Sequence, residues 1–129
     1  MFSGGPITWR SKKQTTVALS STEAEYMALG DAVKELLWLQ QLFDSIGFKF
    51  DELPTLFEDN EGCKALVEHP VHHNRTKHID IRHHFLRSHL NVSFTLNSIS
   101  TNFMLADIFT KPLGAIKFKG FKQAMGLSG

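Results

Sequence analysis

Three acidic residues of this 129-residue chain have the side chain and the setting that a divalent-cation site requires. Glu25 lies near the start of a predicted helix, Asp59 at the end of a predicted strand, and Asp107 inside a later predicted helix. Mg²⁺ prefers oxygen ligands and is usually held by one or two carboxylates together with substrate phosphates. Two such ions can activate a water and stabilise the leaving oxygen of a phosphodiester. The pattern indicates metal-dependent phosphodiester chemistry, provided that one edge of a sheet gathers the three carboxylates.

These carboxylates also have ordinary structural interpretations. Glu23 and Glu25 can complement the dipole of the helix that they begin, and Asp59 can be a helix cap or a turn residue. On a helix, Glu25 shares a face with Leu29, on the apolar side, whereas Glu23 shares a face with Met27 and Lys34. This spacing selects Glu25 over Glu23 as the candidate ligand.

The longest predicted element is the helix that carries Glu25. Thr22 and Glu25 have the spacing of a capping box, which predicts that the helix starts at Thr22. Apolar residues then recur at helical spacing until Gly47, where we expect the helix to end. The pattern predicts one long, buried helix.

A short predicted strand over residues 55–57 leads to the second candidate. Alternation places Asp59 on the face of Phe57 and puts Glu58 on the opposite face. Asn60 can then cap a short helix. In an open α/β sheet, ligands bind at the carboxyl ends of strands, which is where Asp59 lies.

Periodicity and turn signals predict five further elements in the rest of the chain. They are strands over residues 7–11 and 92–96, a helix from about residue 76 to residue 90, a helix capped by Ser100 or Thr101 and ended by Pro112, and a short amphipathic helix in the tail from Gly114.

Basic side chains and histidines are concentrated between residues 71 and 90, which hold six of the seven histidines. The cations there can neutralise a nucleic-acid backbone without reading its bases, although a solvated basic face has the same composition. A helical zinc site would need histidines four residues apart, and the pair with that spacing, His69 and His73, is interrupted by Pro70. We therefore expect phosphate contacts and no zinc. The cations of this segment are Arg75, Lys77, Arg82 and Arg87.

Composition is that of an ordinary globular domain, with 42% hydrophobic and 21% charged residues and a formal net charge of +1. A basic surface for a partner must therefore be local. The single cysteine, Cys63, cannot form an internal disulfide, and no run of about 20 apolar residues is present. We expect one soluble, intracellular domain, in the cytoplasm or nucleus and without a membrane partner.

Five segments, in this order along the chain, share a pattern with a known family: residues 6–14 (PITWRSKKQ), 20–26 (SSTEAEY), 59–62 (DNEG), 74–82 (NRTKHIDIR) and 105–113 (LADIFTKPL). Together they resemble the ribonuclease H domain at the end of copia-type LTR retrotransposon Pol polyproteins. The resemblance runs from about Gly4 to Leu127.

The resemblance implies an α/β fold, a ribonuclease H-like mixed sheet flanked by helices, over residues 1–113, with an amphipathic tail over 114–129. By resemblance, Glu25, Asp59 and Asp107 match catalytic ligands of two Mg²⁺ ions in a family that cleaves the RNA strand of RNA/DNA hybrids. Such a domain recognises the hybrid by shape and 2′-hydroxyls, and the partners implied are the hybrid and the reverse transcriptase portion of the same polyprotein. The residues expected to seat the hybrid are Arg75, Lys77 and Arg82.

The sequence departs from the family pattern in two places. The family's first aspartate ligand and the two strands around it have no counterpart in residues 1–5, so we expect a sheet without its first two strands, weak Mg²⁺ binding and an inactive chain. Residues 97–104 (NSISTNFM) also differ from the family pattern, next to Asp107. The alternative hypothesis is a non-catalytic remnant that binds nucleic acid or another protein.

Overall fold

The computed structural model of this chain describes residues 4–14, 20–69 and 77–127, and the side chains of all of these except residues 77–80. Contacts group the chain into two units. One is Ala18–Ile99, and the other is Met1–Val17 with Ser100–Gly129. Among the described residues, no helix has the length and apolar character needed to cross a membrane.

The unit Ala18–Ile99 is an α/β structure, which confirms the predicted fold class. Its described residues form three helices, α1 (Ser21–Ser45), α2 (Glu61–Glu68) and α3 (Lys77–His89), and two strands, β1 (Thr55–Glu58) and β2 (Thr95–Ser98). The strands pair in parallel, with Thr55 opposite Thr95 and Glu58 opposite Ser98. The crossover between the strands carries α2 and α3, as a parallel connection requires.

Helix α1 supplies one wall of the core, with its fully buried positions in the first half and Leu36 and Leu37 partly buried against the core beyond them. The buried core of this unit comprises Tyr26, Met27, Leu29 and Val33 from α1, Cys63 and Val67 from α2, Leu86 from α3, and Phe94 and Leu96 beside and within β2. In the second half of α1, Trp38, Leu42 and Ile46 are exposed. The prediction of one long helix is confirmed, whereas the prediction that it is buried throughout is wrong. A helical repeat determines which positions share a face, and a neighbouring element must be present to cover that face.

The N-cap of α1 lies two residues earlier than predicted, at Ser20 and not at Thr22. The Ser20 hydroxyl accepts a hydrogen bond from the Glu23 N–H at 3.1 Å, so Ser20 is the N-cap. Ser20 and Glu23 have the same box spacing as Thr22 and Glu25, and the chain uses the earlier pair. The helix ends as predicted, because Gly47 adopts a left-handed conformation at φ +82°.

Two of the predicted strands differ from the structure. Strand β2 starts at Thr95, three residues late, because the chain leaves α3 through a turn in which Asn91 has φ +59° and Val92 is exposed. Residues 7–11 form no strand, and Ile7 and Trp9 are exposed. Alternation favours an extended backbone, but a strand also needs a partner for its hydrogen bonds.

The other unit has helix α4 (Ala115–Ala124) and two short 3₁₀ helices, Thr101–Phe103 and Leu105–Phe109. The prediction of a single helix before Pro112 is wrong, because Met104 is extended at ψ 96° and separates the two 3₁₀ helices. The amphipathic tail helix is confirmed as α4, which buries Phe121. The predicted boundary between residues 113 and 114 stays a prediction.

Candidate metal centre

Glu25, Glu58 and Asp59 form a compact group of acids, called the carboxylate cluster below. One carboxylate oxygen from each residue lies within 4.8 Å of those from the other two. Glu58 is 4% exposed, and Glu25 and Asp59 are half-buried. Two of the three predicted ligands, which are 34 positions apart in the sequence, are therefore brought together.

The cluster lies where β1 ends and α1 begins. Glu25 projects from the first turns of α1, Glu58 is the last residue of β1, and Asp59 lies in the bend that follows. The bend is closed by a hydrogen bond of 2.9 Å from the Asn60 N–H to Glu58 Oε1. Asn60 then caps α2, as predicted, by accepting from the Cys63 N–H at 2.9 Å.

Asp59 does not lie on the face that alternation predicted. Phe57 is exposed, whereas Glu58 is buried and groups with Asp59. The prediction that Glu58 points away from Asp59 is wrong, because strand alternation holds only within a strand and the chain bends at Asp59. Leu56 and Glu58 share the inward face, so an acid two residues after an apolar core position was the available signal for Glu58.

Electrostatic repulsion and burial both act on the cluster. Burial raises the pKa of Glu58, and the neighbouring charge of Asp59 raises it further, against hydrogen bonds from Asn60 and the Cys63 thiol that lower it. Burial also raises the pKa of Cys63, as does the charge of Glu58, so this thiol stays protonated. The available donors are consequently carboxylate oxygens, and this set fits a hard cation such as Mg²⁺.

Asp107 lies in the other unit, in the 3₁₀ helix Leu105–Phe109. It is buried, and its Oδ1 is 2.9 Å from Lys111 Nζ. Its Oδ2 is also buried and accepts no hydrogen bond from the described residues. Its assignment as a ligand beside Glu25 and Asp59 stays a prediction.

The three residues expected to seat a nucleic acid have different settings. Arg75 lies outside the described residues, and so does the side chain of Lys77, the first residue of α3. Arg82 lies against α1, where its Nη1 donates to the Met27 carbonyl at 2.6 Å and lies 3.5 Å from Asp31 Oδ1. The structure thus gives Arg82 an intramolecular role that the sequence did not indicate, and nucleic-acid contact stays a prediction for all three.

The histidine-rich segment lies partly outside the described residues, His73 included, so the expected absence of zinc stays a prediction. In the described part, a ring nitrogen of His83 is 3.3 Å from the His69 carbonyl oxygen. Among the side chains that the structure describes, one group of three or more potential metal ligands comes together. That group is the carboxylate cluster.

Comparison with known proteins relates the chain to transposon polyproteins. It is 38% identical over 123 residues to the retrovirus-related Pol polyprotein from transposon RE2 of Arabidopsis thaliana, covering 95% of this chain and 8% of that protein. It is 39% identical over 127 residues to the corresponding polyprotein from transposon TNT 1-94 of Nicotiana tabacum, covering 98% of this chain and 10% of that protein. The chain therefore spans a tenth or less of these relatives, and the similarity supports a retrotransposon Pol origin.

A shorter stretch resembles a differently named protein. Over 38 residues the chain is 68% identical to secreted RxLR effector protein 161 of Plasmopara viticola, covering 30% of this chain and 27% of that protein. No protein-family model matches the chain, and no solved structure matches it significantly.

Proposed function

We propose that this chain is a ribonuclease H-type segment of a retrotransposon Pol polyprotein, from a family that cleaves the RNA strand of RNA/DNA hybrids, and that it retains that family's metal-binding carboxylates Glu25 and Asp59. The observation that carries the proposal is the carboxylate cluster, in which Glu25 and Asp59 meet at the end of β1. Both residues belong to segments that resemble the ribonuclease H family, and the relatives are Pol polyproteins along nearly the whole of this chain.

In this proposal the cluster binds divalent cations. Glu25 and Asp59 are half-buried and can present oxygens to a cation and to solvent, whereas Glu58 is buried and also holds the Asn60 N–H. Bound Mg²⁺ would supply the activation of water and the stabilisation of the leaving oxygen that phosphodiester hydrolysis needs. Asp107 is the further ligand that we propose from the family resemblance.

The proposed substrate contact is through the phosphate backbone. Arg75 and Lys77 retain the role that the sequence assigned to them, as cations that neutralise phosphates without reading bases. Arg82 contributes by holding α3 against α1, because its guanidinium is engaged by Met27 and Asp31. The reverse transcriptase portion of a Pol polyprotein is the protein partner that we propose.

The metal site is tested by thermal unfolding at increasing MgCl₂ and constant ionic strength. We expect Mg²⁺ to raise the unfolding temperature of the wild type, because a ligand that binds only the folded state stabilises it by RT ln(1 + [L]/Kd). Glu25→Gln and Asp59→Asn should lose this increase. Glu35→Gln, which removes an exposed carboxylate from the same helix, is the matched control and should keep it. An equal response in all four proteins would contradict the proposed site.

Catalysis is tested with an RNA/DNA hybrid labelled on the RNA strand. Mg²⁺-dependent cleavage of the RNA, lost in Asp59→Asn and kept in Glu35→Gln, is the result expected of a nuclease. Duplex DNA and single-stranded RNA serve as substrate controls. Hybrid binding that persists in Asp59→Asn, without cleavage by any of the proteins, would replace the nuclease by the non-catalytic binding remnant.

A further inference from the structure

A chain of hydrogen bonds joins the three elements that meet at the carboxylate cluster. Asn60 is at its centre, since its N–H donates to Glu58 at 2.9 Å and its side-chain Oδ1 accepts from the Cys63 N–H at 2.9 Å. The same Oδ1 accepts from the Thr22 hydroxyl at 3.3 Å. Asn60 therefore contacts α1 and the start of α2 through its side chain, and the end of β1 through its backbone N–H.

The hydrogen bond between Thr22 and Asn60 is not needed to form either helix. Helix α1 is capped by Ser20, so the Thr22 hydroxyl is available for a contact outside its own helix. Asn60 already caps α2 through the Cys63 N–H. The additional bond joins residues 38 positions apart, and its effect is to set where the head of α1 lies relative to the end of β1.

The two bonded residues are placed beside the two predicted ligands. Thr22 precedes Glu25 by three positions and so lies on the same side of α1, while Asn60 directly follows Asp59. A displacement of Thr22 relative to Asn60 would therefore move Glu25 relative to Asp59. Since a cation site depends on the separation of its ligand oxygens, this contact acts on the site through Glu25.

Gly62 provides independent evidence of a close approach at this point. A Cβ atom on Gly62 would lie 3.1 Å from Thr22 Oγ1 and 3.2 Å from Asn60 Oδ1, closer than ordinary van der Waals contact. The backbone of α2 thus packs directly against the Thr22–Asn60 hydrogen bond, and a side chain at this position would have to displace one of its partners.

We propose that Thr22 and Asn60 are positioning residues that hold Glu25 beside Asp59 for cation binding, with Gly62 supplying the space. The inference rests on the proposed function, because it assigns these residues a task in the same site. Thr22, Asn60 and Gly62 would bind no cation themselves. They would act by fixing the distance between Glu25 and Asp59.

The test measures the apparent Mg²⁺ dissociation constant from the unfolding temperature for a set of matched variants. Thr22→Val removes the hydroxyl and keeps the shape, and should raise the constant about threefold to tenfold, the range that one lost neutral hydrogen bond gives. Thr22→Ser retains the hydroxyl and should bind as the wild type does. Gly62→Ala should also raise the constant, although alanine favours the helix.

Thr55→Val is the matched control. It removes a hydroxyl that lies 3.0 Å from the Thr95 hydroxyl at the opposite end of β1, so it should change stability and leave Mg²⁺ affinity as in the wild type. Comparison of Thr22→Val with Thr55→Val separates positioning from a general loss of stability.

Two results would overturn the inference in distinguishable ways. If Asp59→Asn abolishes Mg²⁺ binding while Thr22→Val and Gly62→Ala bind as the wild type does, positioning is refuted and the proposed function stands. If the wild type shows no Mg²⁺ response that depends on Asp59, the proposed function fails, and the inference fails with it.

Discussion

At the scale of single residues, the carboxylate of Glu58 is subject to two opposing effects, since its hydrogen bond favours the ionised form and its burial favours the neutral form. Its carboxylate accepts the hydrogen bond that closes the bend before Asn60, and it is also 4% exposed beside Asp59. Burial favours its neutral form and raises its pKa above the ordinary value of 4.5. Without a cation, the ionised form of Glu58 is therefore destabilising for the folded chain.

This predicts the direction of a pH dependence in metal-free buffer. Because the pKa of Glu58 is higher in the folded than in the unfolded chain, its favourable contribution is complete below pH 4.5 and is lost as the pH rises through the folded value. Glu58→Gln keeps an acceptor for Asn60 and removes the charge. The free energy of unfolding of the wild type minus that of the variant should fall as the pH rises, measured by urea unfolding.

Glu35→Gln controls for the change in net charge, since Glu35 is exposed on α1. Parallel pH profiles for the wild type and Glu58→Gln would show that Glu58 ionises without penalty, and the description of a buried, repelled carboxylate would then be incorrect.

At the scale of elements, the contact between α1 and α3 depends on a glycine. Gly30 is buried in the middle of α1, and a Cβ there would lie 2.9 Å from Arg82 Cδ and 3.0 Å from Arg82 Nη1. The missing side chain lets Arg82 lie across α1 and reach the Met27 carbonyl. Gly30 disfavours the helix in which it lies, and the contact with Arg82 of α3 explains why a glycine occupies this position.

A double-mutant cycle tests this contact. In an Arg82→Ala background, Gly30→Ala should stabilise the chain by about 0.5–1 kcal/mol, the usual helix preference of alanine over glycine. With Arg82 present, crowding of about 1–3 kcal/mol should cancel or reverse that gain. Urea unfolding of the four proteins gives the coupling energy, and the same effect of Gly30→Ala in both backgrounds would refute the contact.

At the scale of the whole molecule, the two units differ in how many apolar side chains they bury. Among its described residues, the unit Ala18–Ile99 has a nine-residue core that includes the fully buried Val33, Val67 and Phe94. In the described part of the other unit, the buried hydrophobic side chains are Phe121 and Met125. Local opening requires less free energy where fewer apolar contacts must be broken.

Hydrogen exchange should therefore distinguish the two units. We expect the slowest amides in the first half of α1, in α2 and at the end of α3, and amides of α4 to exchange about tenfold faster or more, a difference of ~1.4 kcal/mol in opening free energy. Exchange measured by NMR or mass spectrometry gives the comparison. Equal protection of α4 and α1 would mean that the second unit is as stable as the first.

Local chemistry in the sequence was sufficient to predict most helices and the strand that matters for the site. Asn60 caps α2, Gly47 ends α1, and β1 leads to Asp59, because caps, left-handed glycines and short alternating runs act within one turn or pleat. The same local context selected Glu25 and Asp59 as candidates, and the structure brings them together. Local patterns also produced wrong predictions. Two capping boxes overlap at the start of α1, and the predicted N-cap was the wrong one of the two. The helical pattern around Met104 folds as two 3₁₀ helices.

Tertiary structure alone decided which side chains complete and support the cluster. Glu58 joins it because the chain bends after β1, Thr22 bonds Asn60 across 38 positions, and Arg82 bonds Met27 across 55. It also decided that the fully buried positions of α1 are confined to its first half. Such contacts leave no local signature, because each depends on the packing of elements distant in sequence, and a side chain's burial and partners are determined by whichever element packs against it.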